Sequence, residues 1–161
     1  MGQEISFYGE VYSEGCPGCN RQEPQSKGLA IVLETKHTRV HQDYVLPVPG
    51  MMVIETKRHV SKIEDLKDEE LADLFSVWTS VSKAVRALGF DDITHVIEDR
   101  SSHLHLWLMP IHPWMRETTS GKLRNIQDIF DYVKENMITE EWILKTEEAV
   151  EKISSSNYVD F

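Results

Sequence analysis

Apolar and polar positions alternate with period two along Ser102-His103-Leu104-His105-Leu106-Trp107-Leu108-Met109-Pro110, the pattern of a strand with two different faces. Leu104, Leu106 and Leu108 are expected to face a core, with His103, His105, Trp107 and Met109 on the opposite side. Positions two apart on a strand lie roughly 6.6 Å from one another, so His103 and His105 are neighbours on one surface. A single strand histidine is ordinarily just solvated; two at this spacing beside a tryptophan point to a site. Four more strands are expected. Residues 29–35 are rich in β-formers and, after a turn at Lys36-His37, pair with 38–44 as a hairpin. Pro47, Pro49 and Gly50 then break regular structure, 51–56 form a third strand and 93–98 a fourth, with Asp99-Arg100-Ser101-Ser102 as the turn into the fifth.

Between them the period changes to that of a helix. Leu71, Leu74, Phe75, Trp78, Val81, Val85 and Leu88 recur at steps of three and four, which predicts a long amphipathic helix from residue 63 or 67 to 88. Ser61 with Glu64 three residues on resembles a capping box, and Gly89 stops the helix. Residues 111–124 carry two prolines and no period and are expected to be loop, followed by helices over 126–137 and 139–153. The fold class is therefore α+β: a five-stranded antiparallel sheet, one long helix against it and a C-terminal helical extension. The expectation is one domain over 1–161, with its core at about 15–110 and its extension at about 111–161.

Composition narrows the function. At 161 residues, 40% hydrophobic and 27% charged, the chain is long enough for one sizeable core. No apolar run approaches membrane-spanning length, and the first residues lack a basic segment followed by an apolar one, so a cytoplasmic protein without a membrane partner is expected. A net charge of −10 argues against a nucleic-acid polymer as partner, because phosphate neutralisation needs clustered Lys and Arg. A small phosphorylated ligand needs only a local site.

The two cysteines, Cys16 and Cys19, form Cys-Pro-Gly-Cys. A redox pair of this spacing wants a strand before it and a helix after it, whereas the flanks here read as loop. A structural disulfide does not suit the cytosol. Half of a zinc site fits best, since a Cys-x-x-Cys turn presents two thiolates to one tetrahedral metal that then needs two more ligands.

Asp43, then Pro49-Gly50, the strand 52–56, Lys57-Arg58-His59 and finally His103-Leu104-His105-Leu106-Trp107-Leu108-Met109 resemble, in order and separation, the two signature blocks of the histidine-triad superfamily over about residues 15–110. That group includes dinucleoside polyphosphate hydrolases, nucleoside phosphoramidases and hexose-phosphate uridylyltransferases. The resemblance implies a structural zinc on Cys16, Cys19, His59 and His103. It also implies that His105 is a nucleophile forming a nucleotidyl-histidine, and that Asp43 grips the ribose hydroxyls. It further implies a nucleotide substrate and, as is common in the family, a homodimer. Two departures stand out. Trp107 occupies the place of the third histidine and has no acid or base function, only an indole N–H. The turn before the motif is shorter than the phosphate-cradling Gly-Gln turn of the hydrolases, leaving Arg100, Ser101 and Ser102 as stand-in phosphate donors.

The leading expectation is a nucleotide hydrolase or nucleotidyltransferase working through His105, with Trp107 or Trp114 stacking on a nucleobase or closing the cleft. The alternatives are a non-catalytic nucleotide-binding protein and a zinc hydrolase with His103 and His105 both on a catalytic metal. His37, His41 and His95 are expected to be surface or strand histidines, and His112 an ordinary histidine in preference to the missing acid.

Overall fold

A computed structural model describes residues 4–12, 16, 19, 31–98, 101–118 and 126–159. Five strands form one antiparallel sheet: β3 (Ile31–Glu34), β4 (Thr38–Gln42), β5 (Met52–Thr56), β6 (Ile93–Glu98) and β7 (His105–Pro110), in the order β3-β4-β5-β7-β6. Residues 29 and 30, expected at the start of the first of these, lie outside the described residues. A short antiparallel ribbon that the pattern did not predict, β1 (Glu4–Ile5) with β2 (Val11–Tyr12), precedes the sheet. It is tied to the sheet where the Phe7 N–H donates to the Tyr44 carbonyl at 2.9 Å.

One face of the sheet carries the long helix α1 (Asp68–Ala87). Leu74, Val77, Val81 and Val85 pack there against Val40, Ile54, Leu106 and Leu108, the three- and four-residue stripe meeting the alternate positions of the strands. The helix does not begin at the expected cap. Residues Ile63–Asp65 form a separate 3₁₀ turn, and it is Glu70, three residues past Lys67, that closes the N-terminus of α1. Its carboxylate accepts the Lys67 N–H at 2.9 Å and both ends of the Arg58 guanidinium at 2.7 and 2.6 Å. The Arg58 guanidinium, and then the Lys67 N–H, hold the Glu70 carboxyl down to about 2. Gly89, at φ +97°, ends the helix as expected.

The other face is covered at one end by the extension. The segment 111–124 is not all loop: α2 (Pro113–Thr118) starts on a proline, whose fixed φ suits a first helical position. With α3 (Ile126–Asn136) it packs Met115, Ile129 and Val133 over Met109, Leu46 and Val48 as a second core. Met109 is thus buried, not solvent-facing, although it shares its side of the strand with His105. Helix α4 (Glu140–Ser154), capped by Thr139 Oγ1 accepting the Trp142 N–H, sends Trp142 to this second core and Ile153 to the first. Gly50 fixes the approach of β5. It sits at φ +79°, and a Cβ there would meet Pro110 at 3.3 Å, so a larger residue would strain the turn and push on the end of β7. Among the described residues no helix is long and apolar enough to cross a membrane.

Candidate zinc centre and nucleophile

At one end of β5 and β7 four metal-binding side chains converge. The Sγ atoms of Cys16 and Cys19 and the ring nitrogens of His59 and His103 all lie within 4.8 Å of one another. Cys16 Sγ is 3.3 Å and Cys19 Sγ 3.6 Å from His103 Nδ1, and Cys19 Sγ is 2.9 Å from His59 Nδ1. Tetrahedral zinc, with Zn–S about 2.3 Å and Zn–N about 2.0–2.1 Å, holds its ligand atoms about 3.3–3.8 Å apart; the cluster needs only small adjustments to close on one ion. The donor chemistry agrees. The Cys-x-x-Cys turn is closed by the Cys19 N–H on the Cys16 carbonyl at 3.1 Å. The Cys19 thiol is pushed up first by burial and next by Cys16 beside it, a crowding of thiols that a divalent cation would relieve. His103 is 5% exposed and offers Nδ1 to the cluster, while its Nε2–H donates to the Thr56 carbonyl at 2.6 Å. That outer bond fixes the ring and its tautomer, as metal-binding histidines require.

The same residue reaches the nucleophile candidate through its backbone. His105 Nδ1 lies 2.9 Å from the His103 carbonyl oxygen, which also accepts the Ser101 hydroxyl at 2.5 Å; Ser101 Oγ is 3.4 Å from His105 Nδ1. With its Nδ1–H donated to that carbonyl, a neutral His105 has its lone pair on Nε2. Among the described residues His105 belongs to no group of side chains that could hold a metal.

The register places the remaining candidates. Cross-strand partners share a face, so Arg39, Glu55, His105 and Glu98 form one row across β4, β5, β7 and β6, and His41, Val53, Trp107 and Val96 the next. Trp107 has its ring 5.2 Å from that of His105 and 5.2 Å from that of Phe130 of α3. Asp43 follows β4 and is nearly buried. Its Oδ1 accepts the N–H groups of Val45 and Leu46, both at 2.9 Å, and so shapes the chain into the Pro47–Gly50 turn. Arg100 lies outside the described residues; Ser102 is exposed in the turn before His103.

The other histidines hold structural posts. His112 is buried among Phe90, Trp114 and Trp142, with Nε2 3.0 Å from the Pro49 carbonyl, and burial pushes its pKa down. It lies past the far end of β7, whose span from His105 to Pro110 is roughly 16 Å. Trp114 stacks on Tyr132 against the second core. His95 accepts the Trp78 Nε1–H at 2.7 Å on the outer strand. His41, expected to be an ordinary strand histidine, is fully buried, with Nδ1 2.7 Å from the Gln42 carbonyl and Nε2 3.9 Å from Glu55. Pattern reading missed Glu55, a glutamate only 3% exposed. Its signal was a lone acid inside Met-Met-Val-Ile-Glu-Thr.

No protein-family profile matches the chain, and no curated protein does. Solved structures do. A histidine triad nucleotide-binding protein described as hypothetical, from Sulfolobus tokodaii, is 19% identical, with 86% of this chain and 91% of that one covered at a TM-score of 0.60. A zinc-bound histidine triad family protein from Mycobacterium smegmatis is 17% identical over 79% of this chain and 87% of that one, at 0.52. The NitFhit protein of C. elegans also matches, at 20% identity over 72% of this chain, but the chain spans only 26% of that protein and the TM-score of 0.48 carries no argument. The likenesses at TM-scores of 0.60 and 0.52 show the fold: the chain has the histidine-triad fold.

Proposed function

We propose that the chain is a nucleotide hydrolase or nucleotidyltransferase acting through a covalent nucleotidyl-His105 intermediate. The observation that carries the reading is the 2.9 Å contact of His105 Nδ1 with the His103 carbonyl, which leaves Nε2 as the attacking atom. Nε2 forms a bond to the α-phosphorus as the bond to the leaving group breaks, and the electron pair departs with that group. Water, or an acceptor hydroxyl in a transferase, then attacks phosphorus and gives up its proton to solvent as the P–N bond breaks and its pair returns to Nε2. Asp43 is assigned the ribose, and Ser101, Ser102 and Arg100 the phosphate. Cys16, Cys19, His59 and His103 would hold a structural zinc. Four protein ligands leave no open position, so its part is to pin the strand that presents His105.

Trp107 cannot protonate a leaving group, and general-acid help is typically worth about 10²–10⁴-fold. Groups that depart as stable anions, such as pyrophosphate or a nucleotide, should therefore be favoured over amines and alkoxides. Trp107→His is expected to raise turnover of the poor leaving groups more than of the good ones; equal gains on both, measured side by side, would show that another residue supplies the acid.

We further propose one domain working in the reducing cytoplasm. We also propose a homodimer through the edge of β6, which pairs with no further strand among the described residues and where Ile97 is 44% exposed two positions from His95. Light scattering should give twice the chain mass, and Ile97→Lys should halve it. A screen of dinucleoside polyphosphates, nucleoside phosphoramidates and nucleoside diphosphate sugars tests the activity itself. Turnover of at least one class is expected. Binding without turnover across all three would favour the non-catalytic alternative, with the Trp107–Phe130 contact as the mark of a closed site.

A further inference from the structure

A cavity of about 480 Å³ opens between α4, the C-terminal end of α1 and the turn before β5, within the roughly 300–1,000 Å³ of small-molecule sites. Helix α4 gives it Trp142, Lys145, Glu148 and Lys152, whose spacing of three and four residues sets them in one row along the helix. Phe90 and His112 close the Trp142 end: the His112 ring stands 4.7 Å from that of Phe90 and 6.2 Å from that of Trp142. His112 is only 7% exposed, and its one hydrogen bond among the described residues joins Nε2 to the Pro49 carbonyl at 3.0 Å. A carbonyl only accepts, so Nε2 carries the hydrogen and Nδ1 is left as an acceptor without a partner in the cavity wall. Burial lowers the pKa of this ring and keeps it neutral. The charges are as uneven as the walls. Residues 126–161 hold nine acidic residues and three lysines, yet two of those lysines line this one cavity. Lys145 is held by Glu141 at 2.6 Å and lies 4.8 Å from the centre of the Trp142 ring. Lys152, at the far end of the row, makes no ion pair among the described residues, and neither does Glu148 between them.

We propose that this cavity is a second ligand site, separate from His105, and that it binds a nucleotide. The row on α4 reads in the order of such a molecule. Phe90, His112 and Trp142 offer ring faces to a base, and His112 Nδ1 accepts from its amine or ring N–H. Glu148 accepts from the sugar hydroxyls, and Lys152 takes the phosphate. From Trp142 to Lys152 the helix rises about 15 Å, room for base, sugar and phosphate end to end. A neutral aromatic molecule would leave Lys152 unused, and a simple anion would leave the ring wall and the Nδ1 acceptor unused. An aromatic carboxylate, with its charge next to the ring, would set that charge against Glu148. A ring, then hydroxyls, then an anion satisfies all three stations. Binding alone is assigned here, with no bond made or broken. The proposal does not depend on what His105 does, because His112 stands beyond the far end of β7 from it.

The test is photolabelling of the full-length protein with 8-azidoadenosine 5′-monophosphate, the labelled peptides being mapped by mass spectrometry. Label is expected on the peptides that carry Phe90 or Trp142, apart from any on those that carry Asp43 or His105. Ala87→Trp, at an exposed residue of the cavity wall, fills the space, and Lys152→Glu reverses the charge. Each should cut the cavity label by about tenfold or more, the scale for losing one charged or stacking contact, and leave any label near His105 unchanged. AMP should protect the cavity at concentrations about tenfold below those needed with adenosine or with ribose 5-phosphate, which lack the phosphate and the base in turn. If Ala87→Trp does not fold, Lys152→Glu carries the test, since that side chain is exposed. Wild type without label on the cavity peptides, or equal labelling in folded Lys152→Glu, would overturn the proposal. Equal protection by ribose 5-phosphate and AMP would overturn it too, by showing a site for a simple anion. Loss of label near His105 alone would count against the reading of His105 and leave this site standing.

Discussion

His105→Asn is expected to lower turnover of any accepted nucleotide by about 10⁴-fold or more, the scale for losing a covalent nucleophile. Affinity for the corresponding nucleoside monophosphate should hold. Asparagine is the informative replacement because its side-chain N–H₂ can keep donating to the His103 carbonyl that now accepts from Nδ1 at 2.9 Å, while nothing remains in the place of Nε2. The nucleophile acts mainly in the transition state, so ground-state binding is spared. Steady-state kinetics beside calorimetric titration with AMP checks both halves. Turnover surviving within tenfold would remove His105 from the chemistry. Loss of affinity together with rate would make it a binding residue.

Cys16→Ser is expected to cost zinc and stability together. The four ligands come from three separate parts of the chain, the Cys-x-x-Cys turn, the end of β5 and the start of β7, so the ion would tie the N-terminal segment to the sheet. Structural zinc sites supply binding energy that is folding energy. Elemental analysis should give one zinc per chain in the wild type and none in the variant, with a melting temperature lower by several degrees or more. The effect on turnover separates two roles. Because His103 offers Nδ1 to the cluster and its carbonyl to His105, zinc loss should loosen the nucleophile gradually as the site opens. A chelator that stops turnover at once in a protein that stays folded would favour a catalytic metal shared by His103 and His105.

Much of this was legible in the sequence, for stated physical reasons. The alternation around His105 and the apolar stripe of α1 are strong because each repeats over several periods, although Phe75 of that stripe is exposed and Leu88 falls just past the helix, and the observed β6 has the expected bounds, 93–98. What escaped was short or depended on partners. Strands of two residues have no period to read, and α2 has six residues. The cap of α1 went to Glu70 because Arg58, twelve residues earlier, lies within reach of its carboxylate. Met109 obeyed the alternation yet is buried, since α2 and α3 cover only that end of the face. The zinc set was nameable from the order of its blocks, but not its geometry. Glu55 needed the register: only the pairing of β5 with β7 brings it beside His105.

The most direct measurement of the central claim is mass spectrometry of the protein quenched in turnover. The wild type, mixed with a dinucleoside polyphosphate or a nucleoside phosphoramidate and stopped within the first turnover, should carry one nucleoside monophosphate, and fragmentation should place it on His105. The adduct should be absent from His105→Asn and should disappear at the rate of product formation. Turnover without an adduct at any quench time, or an adduct on another residue, would contradict the account.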